Sequence, residues 1–476
     1  MNLMSHAAHD ASESLGARVN IVRPGRTLAI VCIGFAMVIV DTTIVNVALP
    51  AVRDSLGSDL STLQWVVDGY VLVLASLLLS GGGLVDRFGS ARVFRLAVAL
   101  FTLASVACGL APNSAVLVGA RLVQGVAAAM LMPAAMALIS KAYPDPAAKA
   151  KAVALFTTAA GSPQAFGPVL GGVLVTTIGW RSIFFINVPI GLLTLALAAR
   201  GGLPSAEPDR GTRSDVVGQA LVVVGLACLT GALIEGGSLG WSSPLVVVAA
   251  AVALVAAAAF VVRERRAAAP MLPAALVGAP RLMPFVAIGL LLFTAYYGLL
   301  FALSLFLQQV HQLDALQTGL QFLPSALPVF LLPVLAGRLS VRFGVHRVTL
   351  CGLAVAAVGA SALLVVSTTN GALPLTVALF VLGCGVGLTV GPQIALVVGA
   401  APDGTAGTAS GLLNAGRQTG SVLGVAVLGA IAGVGVTAQD RVSGLHIAAG
   451  VAGVLLVVAV GLAARRPARE RTTARS

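Results

Sequence analysis

Residues 117–139 read LVGARLVQGVAAAMLMPAAMALI. Apart from Arg121 and Gln124 the stretch is apolar or small throughout, and as a helix it is long enough to cross the roughly 30 Å hydrocarbon core of a bilayer. An arginine inside such a helix is costly unless it meets a protein partner or a water-filled cavity, so it marks a functional position. One such stretch taken alone could be a buried helix of a large soluble core. That reading fails because the pattern recurs along nearly the whole chain.

The composition agrees. Of 476 residues 58% are apolar and only 10% charged, with a mean hydropathy of +1.00, whereas a soluble chain carries roughly 25% charge. The 54 glycines suit helices that pack closely through small residues. A net charge of +12 raises nucleic acid as a partner, but the basic residues fall in short clusters between apolar runs, which speaks against it. Five cysteines form neither a disulfide framework nor a metal-binding spacing, and no metal or cofactor is expected. Nothing resembles GxxxxGK[ST], so direct use of ATP by this chain is not expected. The polar start, MNLMSHAAHDASESLGA, has no apolar core before a cleavage site, and the first spanning helix is expected to direct insertion.

Apolar spans fall at about 27–50, 64–85, 93–111, 114–140, 150–177, 182–200, 214–234, 243–262, 284–309, 317–340, 347–368, 374–400, 405–434 and 444–464. That predicts fourteen transmembrane helices with both termini on one side. With the N-terminus inside, 24 of the 29 Lys and Arg residues lie on inner segments. Arg53, Arg181 and Arg441 lie outside and Arg121 and Arg417 lie within spans, so the bias places both termini in the cytoplasm of a cell inner membrane. The division expected is a tail at 1–26, a six-helix bundle at 27–200, an inserted helix pair with its loops at 201–283, a second six-helix bundle at 284–464 and a basic tail at 465–476.

The two bundles are suggested by a repeat. Gly82-Gly-Leu-Val-Asp-Arg-Phe-Gly-Ser-Ala-Arg-Val93 and Gly337-Arg-Leu-Ser-Val-Arg-Phe-Gly-Val-His-Arg-Val348 agree at seven of twelve positions. Two related halves with charges at membrane depth read as a secondary transporter working by alternating access. A duplicated scaffold or receptor explains the repeat but not the charges.

Several ordered motifs narrow this. Gly82, Asp86, Arg87 and Gly89 stand in the spacing GxxxD(R/K)xG, with Arg92 after them. Arg121-Leu-Val-Gln-Gly125 reads RxxQG, and Gly167-Pro-Val-Leu-Gly-Gly172 reads GPxxGG. Asp41-Thr-Thr-Ile-Val-Asn-Val-Ala-Leu-Pro50, Trp180-Arg-Ser-Ile-Phe-Phe-Ile-Asn-Val-Pro-Ile-Gly191 and Gly407-Thr-Ala-Ser-Gly-Leu-Leu-Asn-Ala-Gly-Arg417 complete the set. Together they resemble the major facilitator superfamily and, within it, the fourteen-helix drug:proton antiporters. The chain departs from the usual pattern at Ser90 and Ala91, where adjacent bases are common, and at Pro163, where a glycine is usual. The resemblance implies an all-α major facilitator fold and export of hydrophobic, cationic drugs or antibiotics in exchange for protons. It also implies proton coupling through Arg121, an antiporter motif at Gly167, Pro168, Gly171 and Gly172, and gating by the loop residues. Exporters dedicated to one natural product share these motifs, and a nutrient symporter remains an alternative.

The residues support roles of their own. Asp41 lies deep in helix 1, where desolvation penalises its charged form and a nearby Arg121 favours it. Competition between protonation, arginine pairing and a cationic substrate is one scheme; a fixed Asp41–Arg121 pair that only locks helices is the other. Asp68 is the third candidate for proton coupling, near the outer mouth. Asn46, Gln124, Tyr296, Tyr297, Phe301, Gln309, Asn414 and Arg417 are candidates for the substrate cavity, the aromatic rings because they can face a lipophilic cation. Asp86, Arg87 and Arg92 are expected at an inner gate with Arg342 of the second copy, where Val341 replaces the aspartate. The partners expected are protons, hydrophobic or cationic small molecules and membrane lipid, with the chain acting as a monomer.

Overall fold

The computed structural model describes residues 24–464 except 202, 205–214, 268–275, 277, 280, 368–371, 403–404 and 434–436. The two tails, the bases Arg210 and Arg213 and the connection at Asp403 therefore lie outside the described residues. Long helices account for nearly all the rest. In chain order they are α1 (Pro24–Leu56), α2 (Leu60–Phe88), α3 (Ser90–Gly109), α4 (Ser114–Ala142), α5 (Pro146–Thr177) and α6 (Ser182–Ala199, broken at Ile186). They continue with α7 (Val216–Leu239), α8 (Pro244–Arg266), α9 (Leu282–Gln309), α10 (Ala315–Phe343), α11 (Val345–Ala362), α12 (Ala372–Ala400), α13 (Ala406–Ala432) and α14 (Ala438–Ala464).

Polar residues in the short connections set where these helices begin. Asp59 accepts from the Thr62 amide at 2.9 Å, Asn113 from Val116 at 3.0 Å and Asp145 from Ala148 at 2.7 Å, with Pro146 in the first turn after it. Asp314 and Gln317 form a reciprocal capping box at the start of α10. The bonds from Thr62 hold the Asp59 carboxyl below the usual carboxylate range, so this cap stays charged and suits the positive end of a helix.

The chain is an all-α, polytopic membrane protein. Among the described residues twelve helices are long and apolar enough to cross a membrane. Two others of similar length, α5 and α13, are not in that set. The fully described end of α5 is the apolar stretch Phe166–Thr177, and α13 carries Asn414, Arg417, Gln418 and six glycines, which lower its hydropathy.

The repeated loop is repeated in backbone as well. Gly89 between α2 and α3 has φ +84° and ψ +136°; Gly344 between α10 and α11 has φ +90° and ψ +140°. Only glycine adopts this region without strain. Arg87 and Arg342 each lie over the phenylalanine that follows, at 5.4 and 5.2 Å.

Packing separates the helices into two sets. Buried apolar side chains of α9 to α14, joined by Val47 of α1, form one cluster; those of α1 to α6, with Val422 of α13, form another. A third joins the sets, bringing Ile44, Leu49 and Val66 against Phe301, Leu305 and Val425. The seams need small residues: a Cβ on Gly172 of α5 would stand 2.5 Å from the Leu316 Cα of α10, and one on Gly319 of α10 would strike the Pro168 carbonyl of α5. The α7–α8 pair lies to the side. Only 22% and 17% of their apolar spans are buried, against 67% for α1, and α7 touches both α2 and α13 while α8 packs on α7.

Candidate functional site

Residues 117–139 carry Arg121 and Gln124 into a connected polar group. Arg121 pairs with Asp41 of α1, donates through Nε to the Val66 carbonyl at 2.9 Å and through Nη1 to Gln124 Oε1 at 3.0 Å. The Gln124 amide donates to Asp41 Oδ1 at 3.2 Å and to Ser105 of α3 at 2.8 Å. Asn187 at the break in α6 donates to Asp41 Oδ1 at 3.0 Å. The Arg121 guanidinium also lies 4.2 Å from the centre of the Tyr70 ring. All of these groups are sealed from solvent, Asp41 and Gln124 fully. Both Asp41 oxygens are thereby occupied. A buried ion pair whose two carboxylate oxygens are both engaged ties five helices together, and removing one partner would strand the other.

A small cavity lies between the two sets. Its walls are Thr43 and Asn46 of α1, Pro168 of α5, Tyr296, Tyr297 and Leu300 of α9, and Phe322 and Ala326 of α10. Helix α1 thus presents Asp41 to the polar cluster and, two and five residues on, Thr43 and Asn46 to the cavity. The Tyr296 and Tyr297 rings stand edge to face at 5.4 Å, and the Tyr296 hydroxyl meets Ser325 at 3.2 Å. At one end the sets close together: Ser304 donates to the Asn46 carbonyl at 2.8 Å, and Gln64 of α2 donates to Val425 and Ala426 of α13 at 3.1 and 3.3 Å.

Of the residues expected at the cavity, Asn46, Tyr296 and Tyr297 line it and the others do not. Gln124 is drawn into the Asp41 cluster because an amide can serve an acid and a base together. Phe301 is fully buried in the joining cluster, one position off the lining face of α9. Gln309 lies at the α9 terminus and accepts from Arg441. Asn414 donates to Met132 Sδ of α4 at 3.1 Å, bridging the sets. Arg417 sits behind the wall: it donates to Gln393 Oε1 and the Val390 carbonyl, at 2.5 and 2.9 Å from Nη2, and lies 5.3 Å from the centre of the Phe293 ring. Phe293 in turn stands 5.5 Å from Tyr297.

Asp68 is fully buried, and neither of its oxygens meets a hydrogen-bond partner among the described residues. It does not line the cavity. Arg87, Arg92 and Arg342 lie at the far end with Gly82, Gly89 and Gly344, while the side chain of Asp86 is outside the described part of the structure. Val341, in the corresponding place, is almost fully exposed. Within the antiporter motif Gly167 and Gly171 face α1, Gly172 faces α10, and Pro168 reaches the cavity. Sequence reasoning did not single out Asn187, Ser105 and Tyr70 of the polar cluster, or Thr43 and Leu300 of the wall. For Asn187 the signal was its place in the quoted WRSIFFINVPIG motif.

Comparison with known proteins gives a consistent answer. The Major Facilitator Superfamily matches over residues 31–222 and 210–425. The chain is 37% identical over 405 residues to a methylenomycin A resistance protein of Bacillus subtilis, covering 85% of this chain and 86% of that one. It is 36% identical over 458 residues to the cephamycin export protein CmcT of Amycolatopsis lactamdurans, covering 94% and 93%. The multidrug resistance protein Stp of Mycobacterium tuberculosis is 38% identical over 85% of this chain and 75% of its own length. Among solved structures, a peptide transporter of the POT type in complex with sulfate superposes with a TM-score of 0.70 at 15% identity, over 92% of this chain and 94% of that one. A D-xylose–proton symporter gives 0.65 at 14% identity. Likeness at that level speaks for the fold alone.

Proposed function

This chain belongs to the major facilitator superfamily, and from that premise we propose that it is a proton-coupled exporter of antibiotic-like molecules. It is a secondary transporter rather than an enzyme, and it moves hydrophobic small molecules out of the cell. The observation that carries the mechanism is the cavity between the two sets of helices, closed by direct contacts at the Gln64–Val425 end. With the bases of the Gly89 and Gly344 loops in the cytoplasm, that closed end faces outward and the structure is an inward-facing state. Alternating access then opens the α1–α9, α2–α13 and α5–α10 seams and closes the opposite end.

We further count α5 and α13 as spanning. At 1.5 Å per residue their 32 and 27 residues reach roughly 48 and 40 Å, and both pack against core helices along their length. Fourteen spans result, the fourteen-helix drug:proton antiporter arrangement, with two six-helix halves flanking α7 and α8 and both termini cytoplasmic. Proton coupling is assigned to Asp41, Arg121 and Asp68. A buried carboxyl with no base beside it, such as Asp68, suits a proton carrier between states, while the Asp41–Arg121 pair holds the first half together. Dedication to one natural product is the second reading, favoured by relatives that bear the names of single antibiotics.

Uptake of a labelled antibiotic panel into energised inverted vesicles tests this. Accumulation that collapses on adding a protonophore is expected. Accumulation indifferent to the protonophore would reject coupling, and no accumulation of any compound would reject export.

A further inference from the structure

A buried cation, Arg417, reaches the cavity wall through one aromatic ring, since Phe293 stands between it and Tyr297. Asp41, the acid closest to the cavity in sequence, has both oxygens engaged by Arg121, Gln124 and Asn187. Asp68 is sealed, one helical turn from Gln64 on the α2 face that meets α13. Among the described residues no acid lines the cavity. Arg417 is in a different position. It forms no ion pair among the described residues, and its Nη1 donates no hydrogen bond there, although the residue is only 6% exposed. A cation so desolvated and uncompensated is held at a cost that calls for a reason.

The route from Arg417 to the cavity is laid out along one face of α9. Gly289, Phe293, Tyr297 and Leu300 follow each other at helical spacing. Gly289 makes the room: a Cβ there would stand 3.2 Å from Arg417 Cγ and 2.9 Å from Gln393 Nε2. Phe293 lies against the guanidinium, and Tyr297 and Leu300 line the cavity. Gln393, which orients the guanidinium, is itself fixed by donating to the Phe285 carbonyl at 2.9 Å.

We propose that Arg417 reads the charge of the substrate, and that the substrate is an amphipathic molecule bearing an acidic group, a carboxylate or phenolate, instead of a cation. Its apolar rings lie against Tyr296, Tyr297, Leu300 and Phe322, and its anionic end points along Phe293 to the free Nη1 donors. Charge-assisted bonds of guanidinium to carboxylate are among the strongest available to a protein. A cationic ligand in the same place would gain from the aromatic faces but would meet Arg417 with no carboxylate to offset it. The proposal rests on the export reading and names the substrate class for the same cavity.

Two dyes with the same xanthene rings and opposite charge, fluorescein and rhodamine 123, test it on the full chain in nanodiscs. Fluorescein is expected to bind at least about tenfold more tightly than rhodamine 123. Arg417→Gln should reduce that preference to within about twofold, and Arg417→Lys should keep part of it. Equal binding, a preference for rhodamine 123, or a preference unchanged in Arg417→Gln would overturn the assignment. Should the Gln variant not fold, the wild-type preference and the Lys variant decide. Rhodamine 123 transported into inverted vesicles while fluorescein is not would overturn the charge class and leave export standing. Transport of neither dye nor of neutral Nile red would overturn both.

Discussion

Arg121 on α4 is met by a carboxylate, an amide, a backbone carbonyl and a tyrosine ring, whereas Arg417 on α13 is met by an amide, a carbonyl and a phenylalanine ring and by no acid. Both sit in helices of similar length and both are buried. The first arginine is thus part of the framework of its half, with its charge cancelled in place. The second leaves a net positive charge beside the cavity. Two helix sets with a common loop geometry at Gly89 and Gly344 differ at membrane depth, one holding a neutralised lock and the other a cation that meets no acid among the described residues.

The largest expected effect separates these two cases. Arg121→Gln leaves Asp41 buried without its base, and the loss of folding stability should be about 3–5 kcal/mol. Arg417→Gln removes hydrogen bonds but also a buried uncompensated charge, so its cost should be nearer 1 kcal/mol. Reversible unfolding in mixed micelles, followed by tryptophan fluorescence, gives both values. If Arg417→Gln costs as much as Arg121→Gln, Arg417 belongs to a lock of its own and the contrast disappears.

Much of this contrast was legible in the sequence, and the reasons for the remainder are specific. Charges at Asp41, Arg121 and Arg417 stand out because the surrounding residues are apolar, and the repeat around Gly89 is visible as letters. Pairing of Asp41 with Arg121 was one of two open readings, since helical spacing says how deep a residue lies but not which neighbour it faces. The cationic substrate class came from the resemblance and from rings that can face a cation; for Asp41 the structure shows both oxygens occupied. Gln124 and Phe301 were placed at the cavity on residue type. A rotation of about 100° per residue decides whether a side chain faces a cavity or a neighbouring helix, and in a helix apolar all round no pattern announces that angle. Thr43 and Leu300 were hidden for the same reason, as residue types that pack and line equally well.

A second effect acts on the seam between the halves. Gly172→Val would drive a side chain into the Leu316 Cα and the Ala315 carbonyl, 2.5 and 2.7 Å from the Cβ position. Overpacking of this kind costs about 1–3 kcal/mol. Because the clash exists only while α5 and α10 are closed at this end, the cost falls on the state shown here and should shift the population toward the opposite one. Double electron–electron resonance between spin labels at the Thr177 end of α5 and the Ala315 end of α10 should show a longer distance in the variant. An unchanged distance with lowered stability would mean that the seam stays shut throughout the cycle.

The α7–α8 pair touches both halves, through α2 and α13, and so bears on whether they move independently. Trp65 of α2 donates to Glu235 of α7 at 3.1 Å, and Gln219 donates to the Ser76 carbonyl. Trp65→Phe removes the first of these bonds, at a net cost of about 0.5–1.5 kcal/mol. If α7 restrains the α2–α13 seam, the variant should cycle faster in single-turnover export at unchanged substrate affinity. Slower export would make the pair a required support rather than a restraint.

The smallest expected effect calibrates the largest. Asp215 and Arg263 form the same kind of pair as Asp41 and Arg121, at 3.1 Å, but at the ends of α7 and α8 with Arg263 nearly half exposed. Asp215 also caps α7. The Gly218 backbone N–H first, and Arg263 second, hold its carboxyl below the usual carboxylate range. A depressed carboxylate contributes stability above its ordinary range and loses it as the pH falls through its folded value. Asp215→Asn should therefore cost under about 1 kcal/mol at neutral pH, since asparagine still caps a helix, and nothing once the pH is acidic enough to protonate the wild-type group. Added salt should shrink the small neutral-pH difference and leave the Arg121→Gln penalty where it is. Equal salt sensitivity of the two would mean that water reaches Asp41, and the neutralised lock of the first half would have to be redrawn as a hydrated site.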